Sequence, residues 1–143
     1  MKSNSRLTAG CFQSIVDNDR RHGLVLDLPE AKGGNDFAPT ALELVVMGLA
    51  GCISTIWAVV AKNSRLSYRN IEVVVDAEMP DGAPTITGAK AVVTVDSDEP
   101  EEKLQRVLEK TMQVCPVGRL YEKAGIEIGT QLIRAQELAA SAN

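Results

Sequence analysis

Aromatic residues and histidine are scarce in this chain. Only 3% of its 143 residues are aromatic, and there is a single histidine. The three cysteines form no CxxC pair, so the sequence lacks the usual donors of a structural zinc site, and it indicates no other metal or cofactor. An odd number of cysteines is also unlike the disulfide framework of a small secreted protein. We therefore expect reduced thiols and a cytoplasmic location.

The chain also has fewer basic than acidic residues. Fifteen Lys and Arg residues face 19 Asp and Glu residues, which gives a net charge of -4 and a pI near 5.0. This balance argues against nucleic acid or an anionic membrane as a partner. No apolar segment follows Lys2, so we expect no signal peptide. The length and the 45% hydrophobic content predict a single domain over residues 1–143.

A long uncharged run occupies residues 44–61. Its 18 residues are enough to span a membrane, but its flanks lack an aromatic belt and a basic cluster. The strand-like segments on either side also need a core on which to pack. We therefore predict a helix over 41–61 that is buried on all sides. Because a chain with so few aromatic residues can hardly cover such a helix alone, we expect a homodimer in which a second copy covers it.

The ends and the centre of this helix have recognisable signals. Thr40, followed three residues later by Glu43, forms a capping-box pattern, and Lys62 with Asn63 suits the far end. The centre, residues 48–52, consists almost entirely of small residues, which indicates close packing against it. Cys52 lies in this narrow segment. A lone buried cysteine is most often a small apolar filler, so the helix alone assigns it no chemistry.

The remaining segments predict an α+β fold. Alternating segments at 7–16 and 22–28 predict a hairpin with Cys11 in the sheet, and 71–78 with 86–95 predict a second antiparallel pair. An amphipathic helix is expected to be capped by Ser97 or Asp98. A short helix should begin at Pro116, with a last strand over 126–133 and a frayed tail after Gln136.

Cys115 should be the N-cap residue of that short helix. Unpaired amides and the helix dipole favour a thiolate there, and Arg119, one turn further on, could lower the pKa of the thiol further. From the residues alone, Cys115 is therefore the more reactive thiol. The alternative is that Cys115 only caps the helix and Arg119 pairs with a surface carboxylate.

A family pattern combines both cysteines. The run PTALELVVMGLAGC, which ends at Cys52, and the later run Cys115-Pro116-Val117 resemble the OsmC/Ohr family of hydroperoxide-reducing proteins. The resemblance implies an α+β fold of OsmC-like type, with antiparallel sheets around two central helices in an intertwined homodimer. It also implies that Cys52 is the peroxidatic thiolate and Cys115 the resolving thiol, with an organic hydroperoxide as substrate and a dithiol as reductant. This assignment reverses the order of reactivity inferred from the residues alone.

The sequence departs from the family pattern near the start of the helix. Characterised members carry a glutamate where this chain has Leu42, and the acid here is Glu43, which is about 100° further around the helix. The arginine that partners the glutamate could correspond to Arg20, Arg21 or Lys32. In this respect the sequence resembles the less characterised OsmC-like branch.

Two functions fit this pattern. The first is a thiol-dependent organic hydroperoxide reductase that serves in oxidative stress defence and uses two cysteines. The second is a non-catalytic homodimeric module on the same fold that binds a small apolar ligand. A different thiol chemistry at Cys115, such as sulfur or acyl transfer, is a further alternative.

Overall fold

The computed structural model of the protein describes residues 1–136. The chain separates into a first unit, Met1–Val45, and a second unit, Val46–Asn143. Its elements in chain order are β1 (Asn4–Leu7), β2 (Ser14–Asp17), β3 (Gly23–Leu26), a 3₁₀ turn (Glu30–Lys32), α1 (Ala41–Asn63), β4 (Asn70–Glu78), β5 (Gly88–Asp96), α2 (Glu101–Val114), α3 (Pro116–Lys123) and β6 (Glu127–Arg134). The predicted α+β class is confirmed. A single domain over 1–143 stays a prediction, and the tail predicted to fray lies outside the described residues.

The first unit contains an antiparallel sheet in the order β1-β2-β3. The prediction of one strand over 7–16 is wrong, because a turn divides it into β1 and β2. Gly10 has a φ of 80°, and the Thr8 amide donates to the Gln13 carbonyl at 2.8 Å. Cys11 therefore lies in this turn and not in the sheet.

Asp27 organises the loop that leads into α1. Its carboxylate is only 2% exposed and accepts hydrogen bonds from the backbone amides of Leu28, Asn35 and Phe37 and from the side chain of Gln13. Burial raises the pKa of Asp27, but the hydrogen bonds together hold it below its usual range. The carboxylate thus fixes the loop conformation from inside.

The predicted long helix is confirmed as α1, and so is its capping box, but the single chain does not bury this helix on all sides. The Thr40 amide donates to Glu43 Oε2 at 2.7 Å, and the Glu43 amide donates to Thr40 Oγ1 at 3.2 Å. Two hydrogen bonds with Thr40 lower the pKa of Glu43. The one from the Thr40 amide has the larger effect, and the one with the Thr40 side chain has the smaller. The Glu43 carboxylate is therefore engaged in starting the helix.

The second unit contains a sheet in the order β4-β5-β6. The predicted pairing of β4 with β5 is antiparallel, but β6 pairs with β5 in parallel. The expectation of purely antiparallel sheets is therefore corrected for β6. The reason is the helical connection through α2 and α3, which returns the chain to the sheet in the direction of β5, as parallel pairing requires.

Apolar side chains from α1, β5 and α2 form the core of the second unit. Those at most 1% exposed include Leu49, Ile53, Trp57, Ala91, Val93, Val95, Leu104 and Leu108. The ring of Trp57 packs edge-on against Tyr68, with 4.8 Å between ring centroids. One side of α1 is thereby fixed along the helical turns that flank Cys52.

The predicted cap of α2 is wrong. Pro100, which has no side-chain donor or acceptor, is the N-cap residue. The Ser97 hydroxyl instead donates to the Ser67 carbonyl at 2.6 Å, and Asp98 accepts from Arg69 at 2.6 Å. Both residues join the end of β5 to the segment before β4, so their side chains are unavailable to the helix.

Gly34 offers a test of the loop conformation. A Cβ at this position would lie 1.8 Å from the Leu28 carbonyl oxygen, so we expect Gly34→Ala to lower the free energy of unfolding by about 1–3 kcal/mol. The control is Gly129→Ala, whose Cβ would lie 3.9 Å from the Ala89 carbonyl oxygen, and which should change it by less than about 0.5 kcal/mol. Urea denaturation measures both. Equal stability of the two variants would show that the loop is not held as described.

Candidate thiol site

Two thiols come together in the second unit. Cys115 Sγ lies 3.2 Å from Cys52 Sγ and donates to it. Cys52 is carried by α1, and Cys115 lies between α2 and α3. Since a disulfide bond is about 2.05 Å long, the pair is a dithiol whose sulfurs need to approach by only about 1.2 Å to be joined. Both residues are candidates from their sequence patterns, and the structure brings them together.

The two thiols differ in exposure. Cys115 has no exposed surface, whereas Cys52 is half-buried. The outer side of α1 near Cys52 is open in the single chain, because Gly48, Gly51 and Thr55 are all exposed. A reagent in solution therefore reaches Cys52 more readily than Cys115.

Cys115 is the N-cap residue of α3, as predicted. Pro116 occupies the first helical position, and the Gly118 amide donates to Cys115 Sγ at 3.4 Å. Gly118 is a site residue that the sequence analysis did not identify. The signal was its position, three residues after the N-cap, where a helical amide normally points at the cap side chain.

The prediction that Cys115 has a lowered pKa is wrong in its net direction, although the amides at the start of α3 act in the predicted direction. Burial has the largest effect and raises this pKa. The Gly118 amide acts to lower the pKa, and the contact with Cys52 raises it further. The pKa of Cys115 therefore lies above its ordinary value. Arg119 does not act on the thiol, because its guanidinium pairs with Glu122 at 2.5 Å on the exposed side of α3. Cys115 therefore keeps its proton at neutral pH.

The other residues suggested by the family pattern lie in the first unit. Leu42 and Glu43 are in the first turn of α1, and Glu43 is engaged with Thr40. The basic candidates are exposed: Arg20 and Arg21 in the turn between β2 and β3, and Lys32 in the 3₁₀ turn. Any part that they take in the site stays a prediction. Within residues 1–136, no group of three or more His, Cys, Asp or Glu side chains is arranged to hold a metal ion.

The family of the chain follows from a match over residues 33–131 to the model described as OsmC-like protein. The chain belongs to the OsmC-like protein family. The match contains Cys52 and Cys115 and covers well over half of the sequence. The resemblance inferred from the two cysteine segments is thereby confirmed. Among curated proteins, none matches the sequence.

Solved structures support the fold of this OsmC-like protein. The OsmC-like protein from Mycoplasma pneumoniae superposes with a TM-score of 0.81 at 14% identity, over 93% of this chain and 95% of that chain. An organic hydroperoxide resistance protein from Legionella pneumophila gives 0.71 at 16% identity, over 93% and 97%. One from Elizabethkingia anophelis gives 0.74 at 19% identity, over 94% and 96%. At these identities the likeness establishes the fold alone.

The difference between the two thiols predicts their alkylation rates. With iodoacetamide at pH 7, we expect Cys52 to be labelled about tenfold or more faster than Cys115, because labelling of Cys115 requires local opening of a buried site. Labelling of Cys115 should accelerate only at alkaline pH, since its pKa is raised. Peptide mass spectrometry over a pH series measures both rates, and denatured protein serves as the control. Equal labelling of the two residues in the folded protein at pH 7 would contradict the described burial.

Proposed function

We propose that this OsmC-like protein is a thiol-dependent organic hydroperoxide reductase, in which Cys52 is the peroxidatic and Cys115 the resolving cysteine. The observation that carries the proposal is the 3.2 Å contact between a half-buried and a fully buried thiol. The substrate class is supported by the solved neighbours from Legionella pneumophila and Elizabethkingia anophelis, which are named organic hydroperoxide resistance proteins. A cytoplasmic location suits a pair of thiols that must be kept reduced.

The proposed reaction has three steps. The Cys52 thiolate attacks the O–O bond of the hydroperoxide, so that its sulfur becomes a sulfenic acid and an alkoxide leaves, which takes a proton from water to become an alcohol. Cys115 then attacks the Cys52 sulfur, a disulfide forms, and the hydroxyl group leaves as water with the Cys115 proton. A dithiol reductant finally returns two electrons and two protons to the pair.

The hydrogen bond between the thiols suits this division of roles. Cys115 donates its S–H to Cys52 Sγ, and its raised pKa keeps the proton in place until Cys52 has reacted. The more exposed sulfur thus meets the substrate, and the buried sulfur waits beside it. Overoxidation of Cys52 is limited because the resolving thiol is already in contact with it.

The presence of Leu42, where characterised family members have a glutamate, affects the expected rate of the proposed reaction. Leu42 has no carboxylate to orient a hydroperoxide, and Glu43 is held by Thr40. This departure is what favours the second candidate function, a homodimeric module that binds a small apolar ligand without turnover. The two functions differ in whether peroxide consumes thiols.

We also propose that the protein acts as a homodimer joined along α1. This helix has a mean hydropathy of 2.2 over an 18-residue window, yet only 28% of the window is buried within the chain. Its length and composition would also allow a membrane span, but family membership and the small-residue centre favour a second copy of α1 as its cover. Met47 and Val59, which are 55% and 53% exposed, flank the open small residues and would be buried by that copy.

Hydroperoxide consumption tests the enzymatic proposal. With cumene hydroperoxide and dithiothreitol, the wild-type protein should oxidise dithiothreitol catalytically, because the thiol pair cycles through its disulfide. Cys52→Ser should lower the rate to that of dithiothreitol alone, because no sulfenic acid can form. The matched control Cys11→Ser should retain the wild-type rate, since Cys11 lies in the turn of the first unit.

Two outcomes would overturn the enzymatic proposal. One is a wild-type rate no greater than that of Cys52→Ser. The other is a ligand retained in native mass spectrometry together with no sulfenic acid or disulfide after peroxide treatment, which would establish the binding module instead.

The homodimer predicts a specific effect of bulk at Gly48. In the single chain a Cβ at Gly48 has no atom within 4 Å, so Gly48→Leu should leave the fold intact but keep the two copies of α1 apart. Size-exclusion chromatography with light scattering should show a wild-type dimer and a monomeric variant. The control is Gln105→Leu, which adds the same side chain to the exposed surface of α2 and should remain dimeric. A monomeric wild-type protein would refute the dimer.

A further inference from the structure

The disulfide of the proposed cycle offers a reductant two sulfurs, and they are not equally open to attack. A thiolate must approach one sulfur from the side opposite the other, since it displaces that other sulfur as the leaving group. Cys115 has no exposed surface, whereas Cys52 is half-buried. Burial therefore favours attack at Cys52.

The packing around Cys115 disfavours attack by a reductant on the Cys115 sulfur. A pocket of about 360 Å³ lies beside α3, and its lining includes Met112 and Gly118 but not Cys115. A Cβ built on Gly118 would lie 3.6 Å from Cys115 Sγ and 3.8 Å from Met112 Cε, so Gly118 lies close to both side chains. Cys115 is thus absent from the lining of this pocket and has no exposed surface through which a reductant could reach its sulfur.

The backbone at Cys115 is arranged to receive a negative charge. The Gly118 amide donates to Cys115 Sγ at 3.4 Å, and the Val117 amide also acts to lower the pKa of this thiol. Hydrogen bonds to a charged acceptor are about twice as strong as those to a neutral one. When Cys52 is part of a mixed disulfide it carries no charge, so its coulombic contribution, which raises the pKa of Cys115, is gone, while the effect of burial remains.

We propose that the reductant attacks the Cys52 sulfur and that Cys115 leaves as a thiolate held by the Gly118 amide. This inference rests on the proposed function, and it names the direction of the reductive step. The thiolate of the dithiol forms a bond to Cys52 Sγ, and the S–S electron pair passes to Cys115 Sγ. The second thiol of the dithiol, after losing its proton, attacks the mixed disulfide and releases Cys52 as a thiolate. The dithiol becomes a disulfide, and the two protons that it loses are available to the cysteines.

Mapping of the mixed disulfide tests the direction directly. The Cys52–Cys115 disulfide is formed beforehand with diamide in the Cys11→Ser variant, so no peroxide is needed. The protein is mixed with glutathione, quenched within milliseconds in acidic N-ethylmaleimide, and digested with trypsin. Cys52 and Cys115 fall in separate peptides, 33–62 and 111–119. We expect glutathione on the Cys52 peptide; an adduct mainly on Cys115, or shared equally between both, overturns the inference.

Substitution at Gly118 tests the role of the amide. Gly118→Pro removes the N–H in the first turn of α3, where proline is better tolerated than in the helix interior. We expect dithiothreitol to reduce the preformed disulfide about tenfold or more slowly in this variant. The alkylation profile of Cys115 should also shift to higher pH. Gly118→Ala, which restores the N–H and makes only ordinary van der Waals contacts, should recover the rate.

The outcomes separate this inference from the proposed function. If Gly118→Pro is folded by circular dichroism and is reduced as fast as wild type, the amide has no role in the step. If it does not fold, adduct mapping on the Cys11→Ser protein still decides the direction. Failure of the wild-type thiols to react with hydroperoxide would instead defeat the proposed function, whatever the position of the adduct.

Discussion

The contact between the sulfurs of Cys52 and Cys115 depends on how two helices end and begin. Pro116 cannot continue α2, because it lacks an N–H and its ring would clash with the preceding turn. The chain therefore leaves α2 after Val114, and Cys115 takes the extended conformation of an N-cap, with φ -66° and ψ 112°. In an uninterrupted helix the Gly118 amide would be bonded to a carbonyl and not to the Cys115 sulfur. The proline thus helps to set both the position of the sulfur and its hydrogen-bond donor.

The other half of the contact depends on the two-sided character of α1. One side, which contains Leu49, Ile53 and Trp57, is fully buried in the core of the second unit. The opposite side contains Gly48, Gly51 and Thr55 and is open in the single chain. Cys52 lies between these sides, so it is fixed by the core and is still partly accessible in the single chain. In the proposed reaction, this geometry would let Cys52 meet the substrate and Cys115 resolve the product.

The sequence was sufficient where the signal is local. The capping box at Thr40 and Glu43, the alternation of β4 and β5, and the start of α3 at Pro116 are set by neighbouring residues, and all were predicted. The family pattern predicted that Cys52 and Cys115 act together, and the structure places their sulfurs in contact.

Apart from the turn at Gly10 that divides the first predicted strand, the errors concern features that depend on residues far apart in the sequence. Ser97 looks like a helix cap, but its hydroxyl bonds to Ser67, 30 residues away. The parallel pairing of β6 depends on the path through two helices. The pKa of Cys115 is raised because burial, which no local pattern reveals, outweighs the helix N-terminus. Gly118 was not predicted because its contact with the Cys115 sulfur is made by its backbone amide, which leaves no side-chain signal.

Counting thiols after a single turnover tests the central claim most directly. The wild-type protein has three cysteines, and one equivalent of cumene hydroperoxide per chain, added without reductant and followed by denaturation, should leave one titratable thiol. Mass spectrometry should then show a Cys52–Cys115 disulfide within one chain and an unmodified Cys11. Loss of a single thiol with a stable sulfenic acid, a disulfide that joins different residues, or no loss at all would contradict the account.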